Sequence, residues 1–69
     1  MNADLIPFAS LCPGERFLRI GSPHVVSVKT SHTWAATSWR QHRYEYPLHW
    51  TSLIRRAPVG QRNPGEAFA

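Results

Sequence analysis

The sequence predicts an all-β domain, a small barrel or rolled sheet of about five short antiparallel strands. Three observations lead to this prediction. Five short segments rich in β-branched and aromatic residues recur at a spacing of roughly 8–10 residues, with turn residues between them. No helical periodicity is sustained anywhere in the chain. The chain has only 69 residues, and a closed barrel would spare so small a sheet its exposed edges.

The N-terminal third begins with the best helical candidate, residues 5–11, which Pro7 limits to about one turn. Pro13 and Gly14 predict a tight turn, and the apolar run 17–20 predicts the first strand after it. Residues 24–30, "HVVSVKT", form the clearest strand pattern, with three valines and a threonine.

Three further strand candidates occupy residues 33–39, 40–46 and 49–55. The middle one, "RQHRYEY", alternates cleanly and is closed by Pro47. The alternation puts one set of side chains on one face and the rest on the other: His42, Tyr44 and Tyr46 against Gln41, Arg43 and Glu45.

Aromatic side chains must supply most of the core, because a chain this short buries a limited part of its surface. From period-two positions in the strongest strands we expect five residues to be buried: Phe17, Val26, Val28, Trp34 and Ile54. Trp50 and one tyrosine are expected to join them. Cys12 is expected to be a small buried hydrophobic residue.

The predicted ordered domain spans residues 4–56. From Ala57 the sequence reads "APVGQRNPGEAFA", with two prolines, two glycines and few apolar residues. This composition predicts a mobile tail over residues 57–69.

The single cysteine excludes an internal disulfide and fits a reducing compartment. No run of about 18 apolar residues predicts a membrane span, and the first residues lack the basic start and apolar segment of a secretory signal. We therefore expect a cytoplasmic protein without membrane contact.

The string from Phe8 to Ala35 resembles a module found in small uncharacterised proteins of phages and other bacterial mobile elements. It carries the "PGERF" sequence and a valine-rich strand ending in Lys29–Thr30. The resemblance rests on ten residues: Phe8, Leu11, Pro13, Gly14, Glu15, Arg16, Phe17, Val28, Lys29 and Thr30. It implies an SH3-like small barrel in a bacterial host cell and no enzymatic activity. The aromatic segment after Ala36 departs from the module, so protein-specific function is expected there.

No pattern of catalytic or metal-binding residues is present. The four histidines, residues 24, 32, 42 and 49, are eight, ten and seven residues apart, wider than the local pairs of structural zinc sites. A Cys–His nucleophile would need a cleft that so small a core hardly provides. We expect no metal, no cofactor and no catalysis.

A binding function remains, carried by arginines interleaved with aromatics. The net charge is +4, with seven arginines and one lysine against four acidic residues, which raises the prior for an anionic partner. Most aromatics are assigned to the core. The predicted binding residues are Trp39, Arg40, His42, Arg43, Arg55 and Arg56, with Arg19 and Lys29 as further basic candidates.

These residue types suit two different partners. Trp, Tyr and Arg are enriched at protein interface hot spots, which favours a non-catalytic factor that binds and inhibits a host nucleoprotein complex such as a CRISPR, restriction or transcription machine. Aromatics and arginines also suit a direct nucleic-acid platform. A third possibility is a structural subunit of a homo-oligomer, since a small core gains from association.

Overall fold

The computed structural model describes residues 4–68 as an all-β domain with one six-stranded antiparallel sheet. The strands are β1 (Ile6–Pro7), β2 (Arg16–Arg19), β3 (Ser22–Ser31), β4 (Trp34–Trp39), β5 (His42–Pro47) and β6 (Leu53–Arg56). Their order across the sheet is β1-β6-β2-β3-β4-β5. A 3-10 helix at Phe8–Ser10 follows β1. Within residues 4–68, no helix is long and apolar enough to cross a membrane.

All five predicted strands are present, which confirms the all-β class. The two-residue β1 was not predicted. It pairs Ile6 with Ile54 of β6, and the 3-10 helix after it is the single helical turn that the sequence allowed. The sheet is not closed, because β1 and β5 lie at its two ends. The arrangement is compatible with the predicted SH3-like rolled sheet of short antiparallel strands, although the described strands do not close into a continuous barrel.

One face of the sheet, here called the inner face, carries the main core. Phe17, Ala35 and Ile54 are fully or almost fully buried on it. The segment after β1 covers this face with Phe8 and Leu11, and the rings of Phe8 and Phe17 meet edge to face at 5.3 Å. This packing is the apolar core that the aromatic content predicted.

The centre of the opposite, outer face is buried as well. Leu18, Val26 and Ala36 lie on it, and Val26 and Ala36 have no exposed surface. Its cover is the C-terminal segment, residues 57–68. Asn63 of that segment is 4% exposed and reaches between β3 and β4.

The Asn63 side chain replaces backbone pairing between these two strands. Its Oδ1 accepts a hydrogen bond from the Val26 N–H at 2.7 Å. Its Nδ2 donates to the Val26 carbonyl at 2.7 Å and to the Ser38 carbonyl at 2.8 Å. One amide side chain therefore satisfies three buried backbone groups of the sheet.

The C-terminal segment is held at two further places. Glu66 accepts hydrogen bonds from the Asn63 N–H at 3.1 Å and from the Arg16 guanidinium at 2.6 Å. The Ala67 N–H donates to the Ser38 hydroxyl at 2.7 Å. Residues 57–68 therefore pack on the sheet, where the sequence predicted a mobile tail from residue 57. Residue 69 lies outside the described residues.

The same segment supports the turn between β4 and β5. Arg40 and Gln41 have φ angles of 50° and 69°, a type I′ geometry that favours Asn and Gly. Their N–H groups donate to the carbonyls of Pro64 and Gly65 at 2.6 and 2.7 Å. A Cβ on Gly65 would lie 2.9 Å from the Arg40 Cα. Glycine is thus required where the two turns meet.

The predicted core is confirmed at Phe17, Val26 and Ile54, while Val28 is only half-buried. The prediction that Trp34 is buried is wrong. Its side chain is 47% exposed and lies on the outer face at the start of β4. Two small side chains, Ala35 and Ala36, fill the core positions next to it, one on each face.

Two other residues assigned to the interior are also exposed. Trp50 is 45% exposed and lies in the loop before β6 rather than in a strand. Cys12 is exposed beside the Pro13–Gly14 turn, not buried.

The "PGERF" sequence builds a local structural unit. The Glu15 N–H donates to the Cys12 carbonyl at 3.0 Å and closes the turn, with Gly14 at φ 95°. The Glu15 carboxylate accepts from the Cys12 N–H at 2.8 Å. This hydrogen bond, aided by Arg56, lowers the pKa of Glu15 below its ordinary value. The unit therefore shapes the entry into β2, as expected for a turn.

Candidate binding surface

The charges of the described residues are mostly used within the protein. Each of the four acidic residues pairs with at least one arginine. The pairs are Asp4–Arg55, Glu15–Arg56, Glu45–Arg43, and Glu66 with both Arg16 and Arg62. Most of these pairs are exposed and contribute little to stability, but they lower the positive charge that those arginines offer to a partner.

Within residues 4–68, Arg19 and Arg40 are the arginines without a carboxylate partner. The Arg19 guanidinium lies over the Tyr46 ring, 4.9 Å from its centre. Arg40 is exposed in the turn between β4 and β5. Among the exposed cationic side chains of residues 4–68, the positive charge without a carboxylate partner is therefore found at Arg19, beside Tyr46 of β5, and at Arg40 in the β4–β5 turn.

The hairpin presents an aromatic surface between these two arginines. Trp39 pairs with His42, and Thr37 pairs with Tyr44 in the β4–β5 register. Cross-strand partners point to the same side of a sheet. Trp39, His42 and Tyr44, here called the hairpin face, therefore share the inner side beyond the part that Phe8 covers.

The hairpin face is open to solvent. Tyr44 is 55% exposed, His42 is exposed and Trp39 is half-buried. The His42 and Tyr44 rings lie 6.3 Å apart at an angle of 39°. Large rings held on paired strands lose little freedom when a partner packs on them.

Tyr46 and a hydroxyl chain support this surface from within. The Tyr46 hydroxyl donates to the Ser27 hydroxyl at 2.8 Å, and the Ser27 and Thr37 hydroxyls lie 2.7 Å apart. Tyr46 is the one tyrosine that packs against the core, as the sequence suggested. Tyr46 lies on the same face of β5 as Tyr44 and His42, in agreement with the predicted strand phase.

The six predicted binding residues do not form one surface. Trp39, Arg40 and His42 come together at the hairpin. Arg43 lies on the outer side, where it contacts Glu45 and donates to the Phe68 carbonyl. Arg55 and Arg56 are on β6, which β2, β3 and β4 separate from β5, a path of roughly 19 Å along the sheet.

Lys29 is not available to a partner. Its ammonium group is buried, donates to the Phe8 and Leu11 carbonyls at 3.0 and 2.8 Å, and lies 4.6 Å from the centre of the Phe8 ring. It fixes the N-terminal segment to β3. The interpretation of Lys29 as a nucleic-acid contact was wrong.

The sequence reasoning missed an aromatic stack at the other end of the sheet. Trp50 stacks with His49 at 5.3 Å and with His32 at 6.2 Å. The His49 Nδ1 accepts from the Thr51 N–H at 3.2 Å, so His49 carries its ring proton on Nε2 when neutral. The adjacent His49–Trp50 pair was the available signal, but His32 joins it only through the fold.

An open groove of about 350 Å³ lies between the start of β2 and the C-terminal segment. Arg16, Arg56 and Arg62 line it, together with Glu15. All three arginines are paired with Glu15 or Glu66. These carboxylates already neutralise much of the positive charge of the three arginines, so the groove is a weak candidate for a phosphate site.

Among residues 4–68, no three histidine, cysteine or acidic side chains lie close enough to hold a metal ion. Comparison of the chain with models of protein families, with curated proteins and with solved structures gave no match.

Proposed function

We propose that the protein is a non-catalytic accessory protein of a phage or mobile element. It acts in the cytoplasm of the bacterial host, where it binds a host protein or nucleoprotein complex through the hairpin face. Inhibition of a CRISPR, restriction or transcription machine is the mode of action that fits a small binding domain best. Support for the source comes from the "PGERF" module, and support for the binding mode comes from the surface.

The observation that carries the proposal is the pairing of charge and aromatics. Five of seven arginines are in ion pairs, and the remaining two flank exposed rings. A surface that reads phosphate needs a run of available cations, whereas a protein hot spot needs a few rigid aromatics with an arginine beside them. The hairpin face has the second composition.

Capture from host lysate, with and without nuclease, tests the protein-directed function. The protein with Tyr44→Ala is compared with wild type and with Trp34→Ala, which removes an equally exposed ring on the outer face. We expect nuclease-resistant capture of a defined host complex that Tyr44→Ala abolishes and Trp34→Ala retains. Loss of capture on nuclease treatment, or equal loss in both variants, would contradict the proposal.

Direct nucleic-acid binding is the second candidate, because Arg19 and Arg40 flank rings that could stack on bases. Two phosphate contacts predict roughly a tenfold loss of affinity between 50 and 200 mM salt. The Arg19→Ala/Arg40→Ala variant should then weaken binding of any oligonucleotide. The Arg55→Ala/Arg56→Ala variant loses the same formal charge from ion-paired positions and is the matched control. Micromolar binding at physiological salt that only the first variant loses would favour this candidate.

A further inference from the structure

Strand β5 is an edge of the sheet, and its outward backbone groups have no partner among residues 4–68. The Trp39–His42 pair closes a two-residue turn and is therefore hydrogen-bonded. Hydrogen-bonded and non-hydrogen-bonded pairs alternate along an antiparallel ladder. His42, Tyr44 and Tyr46 thus bond to β4, while the N–H and C=O groups of Arg43 and Glu45 point away from it.

From this edge we propose that the protein forms a symmetric dimer by antiparallel pairing of β5 with β5 of a second copy. The pairing makes one continuous sheet across the two copies. Its register places Arg43 opposite Glu45 of the second copy and Glu45 opposite Arg43. Tyr44 then meets its own counterpart on the two-fold axis.

The charges of the strand select this register. Only residues with outward backbone groups can form the hydrogen-bonded pairs, so Arg43 and Glu45 must occupy these positions. A shift by two residues in one direction puts Arg43 opposite Arg43, and in the other direction Glu45 opposite Glu45. Like charges directly opposite each other destabilise a sheet. The central register instead has two attractive pairs and four backbone hydrogen bonds.

The other strand residues agree with this partner. Tyr44 is at a non-hydrogen-bonded position, where cross-strand side chains approach most closely, and aromatic pairs there are favourable. His42 lies opposite Tyr46. Pro47 has no N–H to donate, but it falls opposite Gln41, beyond the end of the second strand. Arg43 and Glu45 are about half exposed, so both can reach across.

The dimer would also join the two hairpin faces into one surface. Tyr44 of each copy lies at the junction, with His42 on either side. The dimer is inferred from strand geometry and charge alone, so it does not rest on the proposed function. Its test needs no other partner.

Sedimentation velocity of the full chain over a concentration series tests the pairing. The variants Arg43→Glu and Glu45→Arg each turn both cross-strand pairs into like-charge pairs. We expect each to weaken dimerisation by about tenfold to a hundredfold. An equimolar mixture of the two variants restores both attractive pairs and should form a 1:1 dimer, as should the double variant with the charges exchanged.

The mixture separates dimerisation from effects inside one chain, because neither variant regains its own Arg43–Glu45 contact on mixing.

A cysteine substitution tests whether the two-fold axis passes through Tyr44. In a Cys12→Ser background, Tyr44→Cys places two Cα atoms about 4.5 Å apart, within disulfide range. It should oxidise rapidly to a linked dimer, while Ser10→Cys, exposed at the end of the 3-10 helix, should not.

Two results would overturn the inference. One is a wild-type protein that stays monomeric up to about 1 mM, which would mean that Pro47 and the charges protect the edge instead. The other is a dimer that the single variants leave unchanged and the mixture does not alter, which would place the contact elsewhere.

Discussion

The two faces of the sheet are covered by two terminal segments of opposite chemistry. The N-terminal segment covers the inner face with apolar side chains, Phe8 and Leu11, both buried. The C-terminal segment covers the outer face with polar ones, chiefly Asn63 and Glu66, and with its own backbone. The first segment is fixed by burial of apolar area together with the hydrogen bonds that Lys29 donates to its carbonyls. The second is fixed mainly by hydrogen bonds to groups that the sheet leaves unpaired.

The difference between the two segments explains why only one of them was recognised from the sequence as part of the domain. Apolar cover leaves a visible hydrophobic pattern, so residues 8–11 were assigned to the domain. Polar cover leaves none, because an asparagine, a glycine and a glutamate around a proline are also typical of a flexible tail. The energy of such a segment lies in the specific groups it meets, which are known only once the fold is known.

The largest loss of stability is expected when the buried Phe8 ring is removed. Phe8→Ala removes a fully buried ring and leaves a cavity against Phe17, so the free energy of unfolding should fall by about 3–5 kcal/mol. Urea denaturation followed by tryptophan fluorescence measures it. A loss below about 1 kcal/mol would show that the N-terminal segment is not the main cover of the inner face.

Removal of the Asn63 side chain should cause the second-largest loss of stability. Asn63→Ala leaves the Val26 N–H and two buried carbonyls without partners, and we expect a loss of about 2–4 kcal/mol, less than the sum of three separate penalties. The same denaturation experiment measures it. Gln61→Ala is the control, since its side chain makes an exposed hydrogen bond to the Pro23 carbonyl and should change stability by no more than about 0.5 kcal/mol. Equal effects of the two variants would contradict the anchoring role of Asn63.

The third prediction concerns the contact between the two turns. Gly65 and Gly60 both have positive φ angles, but only at Gly65 would a Cβ meet the Arg40 backbone. Alanine at either position should cost about 1–2 kcal/mol for the left-handed conformation. Gly65→Ala should cost clearly more, because the segment must also move away from the hairpin. Thermal unfolding of both variants tests this, and an equal shift would mean that the close approach is not maintained in solution.

The smallest effect is a pH dependence at Glu66. Burial raises the pKa of this carboxyl, but hydrogen bonds from Arg16 and the Asn63 N–H, with the charges of Arg16 and Arg62, outweigh it and lower the pKa below 4.5. A lowered folded-state pKa stabilises the protein fully above the unfolded value and less as the pH falls through the folded value. We expect about 1 kcal/mol of stability to be lost on acidification below pH 4.5, allowing for partial exposure of Arg16.

Denaturation curves between pH 3 and pH 7, wild type against Glu66→Gln, isolate this term. The variant should be less stable at pH 7 and should show a flatter decline towards low pH. Identical pH profiles would contradict the ion pair.

The sequence was sufficient for five of the six strands and for part of the apolar core, and the reason is visible in particular residues. Phe17, Val26 and Ile54 stand at period-two positions within strong strand patterns. Trp34 stands at such a position but is exposed. Strand β4 is covered on both faces, and Ala35 and Ala36 fill its buried positions instead. Period-two reasoning assumes one buried face, and here there are two.

The sequence grouped three of the candidate binding residues that the fold brings together. Trp39, Arg40 and His42 are neighbours along one hairpin, so local sequence was enough to group them. Arg55 and Arg56 were added on charge alone, and charge does not show that Asp4 and Glu15 pair with them across the fold. The fold decides which arginines meet a carboxylate and which remain available to a partner.

We expect residues 57–68 to be an ordered part of the domain, anchored by Asn63. Amide hydrogen exchange at Val26, Arg40, Gln41 and Ala67 tests this, because the first three N–H groups donate to that segment and the Ala67 N–H donates from it to Ser38 of β4. We predict strong protection of all four in the wild type, lost selectively in Asn63→Ala while Phe17 stays protected. Rapid exchange of the four amides in the wild-type protein would contradict the claim and restore the mobile tail.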